Sequence, residues 1–278
     1  MSSDAFTKEN LHSYLKDLAK EFRKRNGTAM PAEIILIGGA AVLINYGFRD
    51  STTDIDAIIR ASSSMKDAIN CVGDKHSLPI GWLNTDFMRT GSYSPKLDEV
   101  SVYYKTFSNV LTIRTVSAEY LIAMKLRAGR KYKYDLSDVI GILADHENRG
   151  KPITMEAIDC AVIRLYGGWT DFPPDSKPFI EDALEKGNYN EVYASIRQEE
   201  AQSKEILIDF GKEYPGVTKE SNIDNILASL KKKKQQALQV ELFNAQSERA
   251  NGYQGRNAEE VLADMDRILE SNEGKSKG

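Results

Sequence analysis

The chain has 278 residues, of which 41% are hydrophobic and 28% are charged, and its net charge is -4. This length gives room for one large domain or two smaller ones, and the acidic balance argues against a protein that coats nucleic acid non-specifically. The sequence contains neither an N-terminal signal region nor a run of about 18 apolar residues. Cys71 and Cys160 lie in no metal-ligand pattern, which fits a reducing compartment. We therefore expect a cytoplasmic protein with no membrane partner.

Strands and helices alternate in the first part of the chain. Apolar residues at helical spacing predict a first helix over 7–25, ended by Gly27, and the apolar run over 34–37 is typical of a strand buried on both faces. A tight turn at Ser108-Asn109 separates two later strands. In chain order, the further predictions are a helix over 40–46, a strand over 53–60, a helix over 64–75, and antiparallel strands over 100–107 and 110–116.

From Ser117 onward the hydrophobic period is helical. The predicted helices cover about 117–127, 136–146, 154–167, 176–186, 189–211, 222–246 and 257–270, and residues 273–278 are predicted to be disordered. Strands before residue 117 and helices after it indicate an α+β protein. We expect an α/β domain over 1–150 and a helical C-terminal domain with a disordered tail over 151–278.

The second predicted strand begins with Asp54-Ile55-Asp56. Because side chains alternate along a strand, both carboxylates face one way and Ile55 faces the other. Aspartate is disfavoured inside a strand, and two adjacent carboxylates raise each other's pKa unless a cation lies between them. Oxygen ligands at this spacing suit Mg2+. We therefore predict a metal site, with a solvated turn as the alternative.

Gly38-Gly39 follows the first predicted strand. In isolation, the pair fits close packing of a helix on a strand as well as it fits a phosphate-binding corner. A dinucleotide-binding site requires G-x-G-x-x-G and a single acid on the next strand, whereas this chain continues Gly-Gly-Ala-Ala-Val-Leu. Beside a metal site, the glycine corner indicates binding of a nucleoside triphosphate.

Several motifs, taken in order, resemble those of known nucleotidyltransferases. One set of residues in this chain resembles the signature of the polymerase-beta-like superfamily: Gly38-Gly39, Arg49, Ser51, Thr52 and Asp54-Ile55-Asp56. Two further stretches resemble a bacterial branch of that superfamily, related to AbiEii- and MenT-type nucleotidyltransferase toxins. The first is Gly81-Trp82-Leu83-Asn84. The second is Ala123-Met124-Lys125-Leu126, followed by Arg130 and by Asp135-x-x-Asp138. The resemblance covers about residues 30–165. It implies a polymerase-beta-like nucleotidyltransferase core, a mixed sheet flanked by helices, with an α-helical C-terminal region.

The resemblance also implies roles for individual residues. The implied catalytic residues are Asp54, Asp56, Lys125 and Asp138; the implied nucleotide-binding residues are Gly38, Gly39, Ser51, Thr52 and Arg130; and the implied metal ligands are Asp54, Asp56 and Asp86. The metal would be Mg2+, or Mn2+ in its place. No apolar-Asp-apolar triplet marks the third carboxylate, so Asp98 stays open beside Asp86, which is favoured because it follows Trp82-Leu83-Asn84.

Three features keep two interpretations each. The basic residues within 125–133, with Tyr132 and Tyr134 among them, suit either a groove for an RNA end or a solvated helix end. Asp135 suits either the start of a helix or a site acid. Trp82 suits either the core or a position beside the nucleotide base.

The implied function is Mg2+-dependent transfer of NMP from an NTP to a hydroxyl acceptor, such as an RNA or tRNA end. The same resemblance suggests the toxin of a toxin-antitoxin or phage-defence pair, with a protein antitoxin as a partner. Two alternatives remain: a small-molecule nucleotidyltransferase of the antibiotic-modifying type, and a catalytically inactive nucleotide-binding or interaction module of the same fold.

Overall fold

The structure is a computed structural model that describes residues 5–219 and 222–250. The helix predicted over 257–270 and the disorder predicted for 273–278 lie outside the described residues. Within the described ranges, no helix is both long enough and apolar enough to cross a membrane.

A mixed five-stranded sheet lies at the centre of the fold. Its strands are β1 (Ala32–Leu36), β2 (Ile55–Arg60), β3 (Leu83–Asn84), β4 (Ser101–Phe107) and β5 (Leu111–Val116), in the order β3-β2-β1-β5-β4. β1 is antiparallel to β2 and parallel to β5, while β2 is parallel to β3 and β4 is antiparallel to β5. With the flanking helices, this sheet confirms the predicted α+β class.

Nine α-helices occur in the described part of the chain. They are α1 (Lys8–Asn26), α2 (Gly38–Asn45), α3 (Ser64–His76), α4 (Ala118–Ala128), α5 (Asp135–Asn148), α6 (Met155–Tyr166), α7 (Ser176–Lys186), α8 (Tyr189–Glu213) and α9 (Ile223–Ala250). The predicted helices that fall on described residues are thus confirmed, with ends shifted by a few residues.

The two faces of the sheet pack into different apolar clusters. Ile34 and Ile55 pack with α1 and α3, whereas Ile35 and Ile58 pack with α4, α5 and α6. β1 is therefore buried on both faces, as its apolar run predicts. Since side chains alternate along β2, Asp56 lies on the same face as Ile58, the face covered by α4 and α5.

Two local features refine the sequence analysis. Ser108 and Asn109 both have positive φ, 51° and 55°, as a two-residue hairpin turn requires, so the predicted tight turn is confirmed. β2 begins at Ile55 instead of residue 53, which leaves Asp54 just before the strand. The two-residue β3 was not predicted, because so short a strand carries no readable period.

Residue contacts divide the chain into two compact units, Met1–Ile208 and Asp209–Gly278. In the first unit, α6 and α7 pack against α4, and Ile158, Val162 and Ile180 add to the apolar cluster on that face. This unit therefore extends past the boundary expected after residue 150, because the core on the α4 face needs these later helices to cover it.

Candidate functional site

The glycine corner lies beside Asp56. Gly38 is the first residue of α2 and has a φ of 57°; a Cβ added there would lie 3.6 Å from Asp56 Oδ2. The first N–H groups of a helix have no partner within it, so they offer donors to an anion. A corner with donors for an anion thus adjoins a carboxylate.

Asp54 and Asp56 differ in burial but share one electrostatic environment. Asp54 is exposed, whereas Asp56 is half-buried in β2. Burial raises the pKa of Asp56 to about 6; the charges of Asp54 and Asp86 raise it as well, while Lys133 and Arg130 lower it. The two aspartates of the Asp-x-Asp motif therefore repel each other, as the sequence analysis predicts.

Asp86 is better placed than Asp98 to act with Asp56. Asp86 follows β3, where Asn84 pairs with Asp56 in the parallel register, and the Asp86 N–H donates to Asn84 Oδ1 at 2.8 Å. Asp98 instead forms an ion pair with Arg60. Arg60 is four residues after Asp56 in β2, so the usual rise of a strand places the Cα atoms of these two residues about 13 Å apart. The register therefore favours Asp86 for the third carboxylate that the sequence left open.

No three acidic, histidine or cysteine side chains within 5–219 and 222–250 are grouped so as to hold a metal ion. Asp54, Asp56 and Asp86 therefore do not form a closed protein cage for a metal.

Lys125 does not face the glycine corner as an open cation. Its side chain is 7% exposed, and its Nζ lies 2.8 Å from Asp135 Oδ1 and 2.9 Å from Asp138 Oδ2. Burial by itself lowers the pKa of Lys125, but the two carboxylates outweigh burial and hold the pKa above its usual value. The charge of Lys125 is thus bound to two carboxylates.

Two arginines complete this buried ionic network. Arg130 Nε donates to Asp135 Oδ2 at 2.7 Å, and Arg49 donates to Asp138 Oδ2. Burial tends to raise the pKa of Asp135, but Lys125 and Arg130 hold it below its usual value. Asp138 is only 1% exposed, so it lies inside the network and not at an open rim. Asp135 is the first residue of α5 and not its N-cap, which is Tyr134.

The buried network reaches the glycine corner through Arg49. A Cβ on Gly39 would lie 2.7 Å from Thr52 Oγ1 and 2.9 Å from Arg49 Nη2, so only glycine allows this close approach. Arg49 Nε also donates to the Ser51 carbonyl at 3.0 Å. Thr52 is buried, and its hydroxyl donates to the Asp54 carbonyl at 3.2 Å. Gly39, Ser51 and Thr52 therefore hold the corner together around Arg49.

The basic stretch 125–133 is largely engaged in contacts within the protein. Arg127 Nε donates to the Gly91 carbonyl at 2.8 Å, and its guanidinium lies 4.8 Å from the centre of the Tyr166 ring. Lys131 lies 3.7 Å from Asp175. These contacts weaken the interpretation of this stretch as an open groove for an RNA end.

Trp82 belongs to the core. It is 3% exposed, its indole N–H donates to the Ile69 carbonyl at 3.1 Å, and its ring lies against Gly73. The structure thus supports the packing interpretation of Trp82 over a position beside a nucleotide base.

No sequence pattern pointed to Glu200, and Lys133 was considered only as part of the basic stretch. Lys133 acts on the pKa of Asp56, and its place in the basic stretch was the available signal. Glu200 on α8 accepts hydrogen bonds from N–H groups at the start of α5. One of these donors is Ser137, which lies 63 residues before Glu200 in the chain. No local pattern could reveal that contact, because it depends on how α8 packs.

Comparison with known proteins found a similar family. Residues 13–145 match the model of a family described as "Nucleotidyltransferase of unknown function (DUF6036)". The matched range contains every residue that the sequence analysis proposed for the site. Searches of curated proteins and of solved structures found no match to this chain. The match covers just under half of the chain, and this part of the chain is therefore similar to a nucleotidyltransferase family.

Proposed function

We propose that this chain is a Mg2+-dependent enzyme that transfers NMP from an NTP to a hydroxyl acceptor. The observation that carries the proposal is the place of Asp56, half-buried against Gly38 at the start of α2 and next to the like charges of Asp54 and Asp86. Carboxylates that repel one another beside free helical N–H groups match the needs of a metal-bound triphosphate.

The donor set at this corner fits Mg2+, with Mn2+ as a substitute. The available donors are carboxylate oxygens, and Mg2+ is commonly held by one or two carboxylates together with substrate phosphates and water. A site of that kind needs no closed cage of three protein ligands. When bound, the ion would supply charge neutralisation at the phosphates. We assign the metal to Asp54 and Asp56, with Asp86 as the third carboxylate.

The remaining proposed residues divide into three groups. Gly38 and the first N–H groups of α2 receive phosphate oxygens. Arg130 and Lys133 contribute positive charge, since both act on Asp56. Lys125 and Asp138 act through the buried network, where they fix Arg49 and Arg130 relative to the corner.

The acceptor is the finer part of the proposal. An RNA or tRNA end, and the role of a toxin held by a protein antitoxin in the cytoplasm, rest on the resemblance described above. Small-molecule acceptors of the antibiotic type compete with them, and the engaged basic stretch gives RNA less support than the sequence alone did.

An inactive nucleotide-binding module is a second candidate. One observation favours it: the described residues contain no three-acid group that could hold a metal unaided. This module would bind NTP in a metal-dependent way and release no pyrophosphate with any acceptor.

The test is transfer of label from each of the four α-labelled NTPs by the purified chain with Mg2+. The acceptors are total RNA, a tRNA fraction and a panel of aminoglycosides. Asp54→Asn and Asp56→Asn should abolish transfer. Asp74→Asn is the matched control, because Asp74 is exposed on α3, on the opposite face of the sheet.

Each outcome decides between the candidates. Label on RNA that both site variants lose supports the leading proposal, and label on aminoglycosides supports the small-molecule enzyme. Metal-dependent NTP binding by calorimetry without pyrophosphate release supports the inactive module. Transfer that survives both site variants refutes the site.

A further inference from the structure

Helix α8 lies beyond residues 13–145, the range matched by the family, yet it contacts the start of α5. Glu200 on α8 is 2% exposed, and its Oε1 accepts the N–H of Leu136 at 3.0 Å and the N–H of Ser137 at 3.4 Å. These are the second and third residues of α5. N–H groups there have no partner within their own helix and need an outside acceptor.

The residue that normally supplies this acceptor does not do so here. The N-cap of α5 is Tyr134, which has a left-handed backbone with φ 61° and makes no side-chain hydrogen bond to the helix. A capping side chain typically accepts from the second or third N–H of the helix, as Glu200 does. Glu200 therefore caps α5 from another helix.

The turn that Glu200 caps carries both acids of the buried network. Asp135 and Asp138 hold Lys125 between them, Asp135 holds Arg130, and Asp138 holds Arg49. Arg49 lies against Gly39 at the glycine corner, and Arg130 acts on Asp56. Arg49 and Arg130 lie next to the proposed triphosphate site. A shift of this turn would therefore displace both positive charges.

Two more contacts join α8 to the same region. Tyr193 Oη donates to the Phe48 carbonyl, next to Arg49, at 3.2 Å. The Arg197 guanidinium lies 3.5 Å from the centre of the Tyr134 ring. α8 thus contacts the chain next to Arg49 and next to Asp135, the acid that holds Arg130.

We propose that Glu200 is a positioning residue of the nucleotidyl-transfer site: it fixes the first turn of α5 and, through Asp135 and Asp138, the places of Arg130 and Arg49. The proposal rests on the proposed function for its catalytic meaning. It also extends the working unit of the enzyme past the family match to α8.

The test separates the acceptor atom of Glu200 from its charge and its volume. Glu200→Met keeps similar volume and removes the acceptor, whereas Glu200→Gln keeps a carbonyl that can accept both N–H groups and removes the charge. Glu205→Gln is the control, because Glu205 is exposed on the same helix. Thermal unfolding first establishes that each variant is folded.

Amide hydrogen exchange then measures the capping of α5 by Glu200, and nucleotide assays separately measure the effect of Glu200 on the site. In Glu200→Met, we expect exchange at Leu136 and Ser137 to be about tenfold faster, which corresponds to about 1.4 kcal/mol, within the range for the loss of a capping bond. We also expect the Kd and KM for Mg2+-NTP to rise about tenfold, with a smaller change in kcat. Glu200→Gln and Glu205→Gln should stay close to the parent protein in every measurement.

The exchange arm does not depend on any enzymatic activity. Unchanged exchange in Glu200→Met, or lost protection in Glu200→Gln, overturns the capping role. Faster exchange with unchanged nucleotide binding and transfer overturns the positioning role. A parent protein that binds no NTP and transfers no label refutes the proposed function, while the exchange result still decides whether Glu200 caps α5.

Discussion

Two pairs of aspartates in this chain have opposite surroundings. Asp54 and Asp56 lie at the open corner near a third acid, and burial with like charge raises the pKa of Asp56 to about 6. Asp135 and Asp138 are more deeply buried, yet each contacts Lys125 and an arginine. The pKa of Asp135 is accordingly held below its usual value.

This contrast indicates what each pair of aspartates can do. Buried carboxylates whose charges are matched fix the geometry of the helices that carry them, and they have little left to offer a ligand. A bound cation relieves the repulsion between carboxylates of like charge, so such carboxylates are the ones expected to bind a metal. The stability of the protein should therefore depend on Asp135 and Asp138, and its activity on Asp54 and Asp56.

The largest expected effect follows from breaking the buried pair. Lys125→Met leaves Asp135 and Asp138 next to each other without the cation between them, and we expect the free energy of unfolding to fall by about 3–5 kcal/mol. Urea unfolding measures the change. Lys131→Met is the control, because its ion pair with Asp175 is exposed and should contribute little. An unchanged unfolding midpoint for Lys125→Met would show that the network does not hold α4 and α5 together.

The open pair should show the reverse behaviour, and Asp86 tests how far it extends. We expect Asp86→Asn to reduce label transfer about a hundredfold, equal to about 2.7 kcal/mol of transition-state stabilisation, with little effect on unfolding. Asp98→Asn should leave transfer unchanged, because Asp98 pairs with Arg60 at the other end of β2. Steady-state kinetics of the two variants decides between them. A larger loss in Asp98→Asn would reverse the assignment of the third carboxylate.

A smaller effect is expected where α5 meets the chain beside Arg49. A Cβ on Gly141 would lie 2.5 Å from the Phe48 ring, so Gly141→Ala should overpack this contact and lower the free energy of unfolding by about 1–3 kcal/mol. The same substitution at Gly211, a helical glycine with open space around it, should be neutral or slightly stabilising. Equal denaturation curves for the two variants would contradict the tight packing of Phe48 on α5.

The smallest effect concerns pH. The pKa of Asp56 in the folded protein, about 6, lies above its ordinary value of 3.8, so the folded protein binds more protons than the unfolded chain between these pH values. The contribution of Asp56 to the free energy of unfolding therefore falls as pH rises from about 4 to 6. Asp56→Asn should gain stability relative to the parent over this range, as measured by urea unfolding at several pH values without metal.

Mg2+ should oppose this trend, because it favours the ionised carboxylate. We expect added Mg2+ with NTP to stabilise the parent protein more at pH 7 than at pH 5, and to have little effect on Asp56→Asn. Equal stabilisation at both pH values would argue against a metal at Asp56.

Much of the fold was readable from local patterns. The buried strand 34–37, the turn at Ser108-Asn109 and the amphipathic helices follow from periodicity and turn chemistry, which depend on neighbouring residues. β3 was not readable, because two residues carry no period and its pairing with β2 is a tertiary contact.

The site divides in the same way. Local sequence patterns are enough to predict that Gly38 follows a strand and that Asp56 lies within β2, since both depend on neighbouring residues. Tertiary packing is needed to place Lys125 between Asp135 and Asp138, to bring the charge of Asp86 close enough to raise the pKa of Asp56, and to set Glu200 at the start of α5. Which charges meet is fixed by helix packing and strand register, and residues far apart in the chain leave no local trace of these contacts.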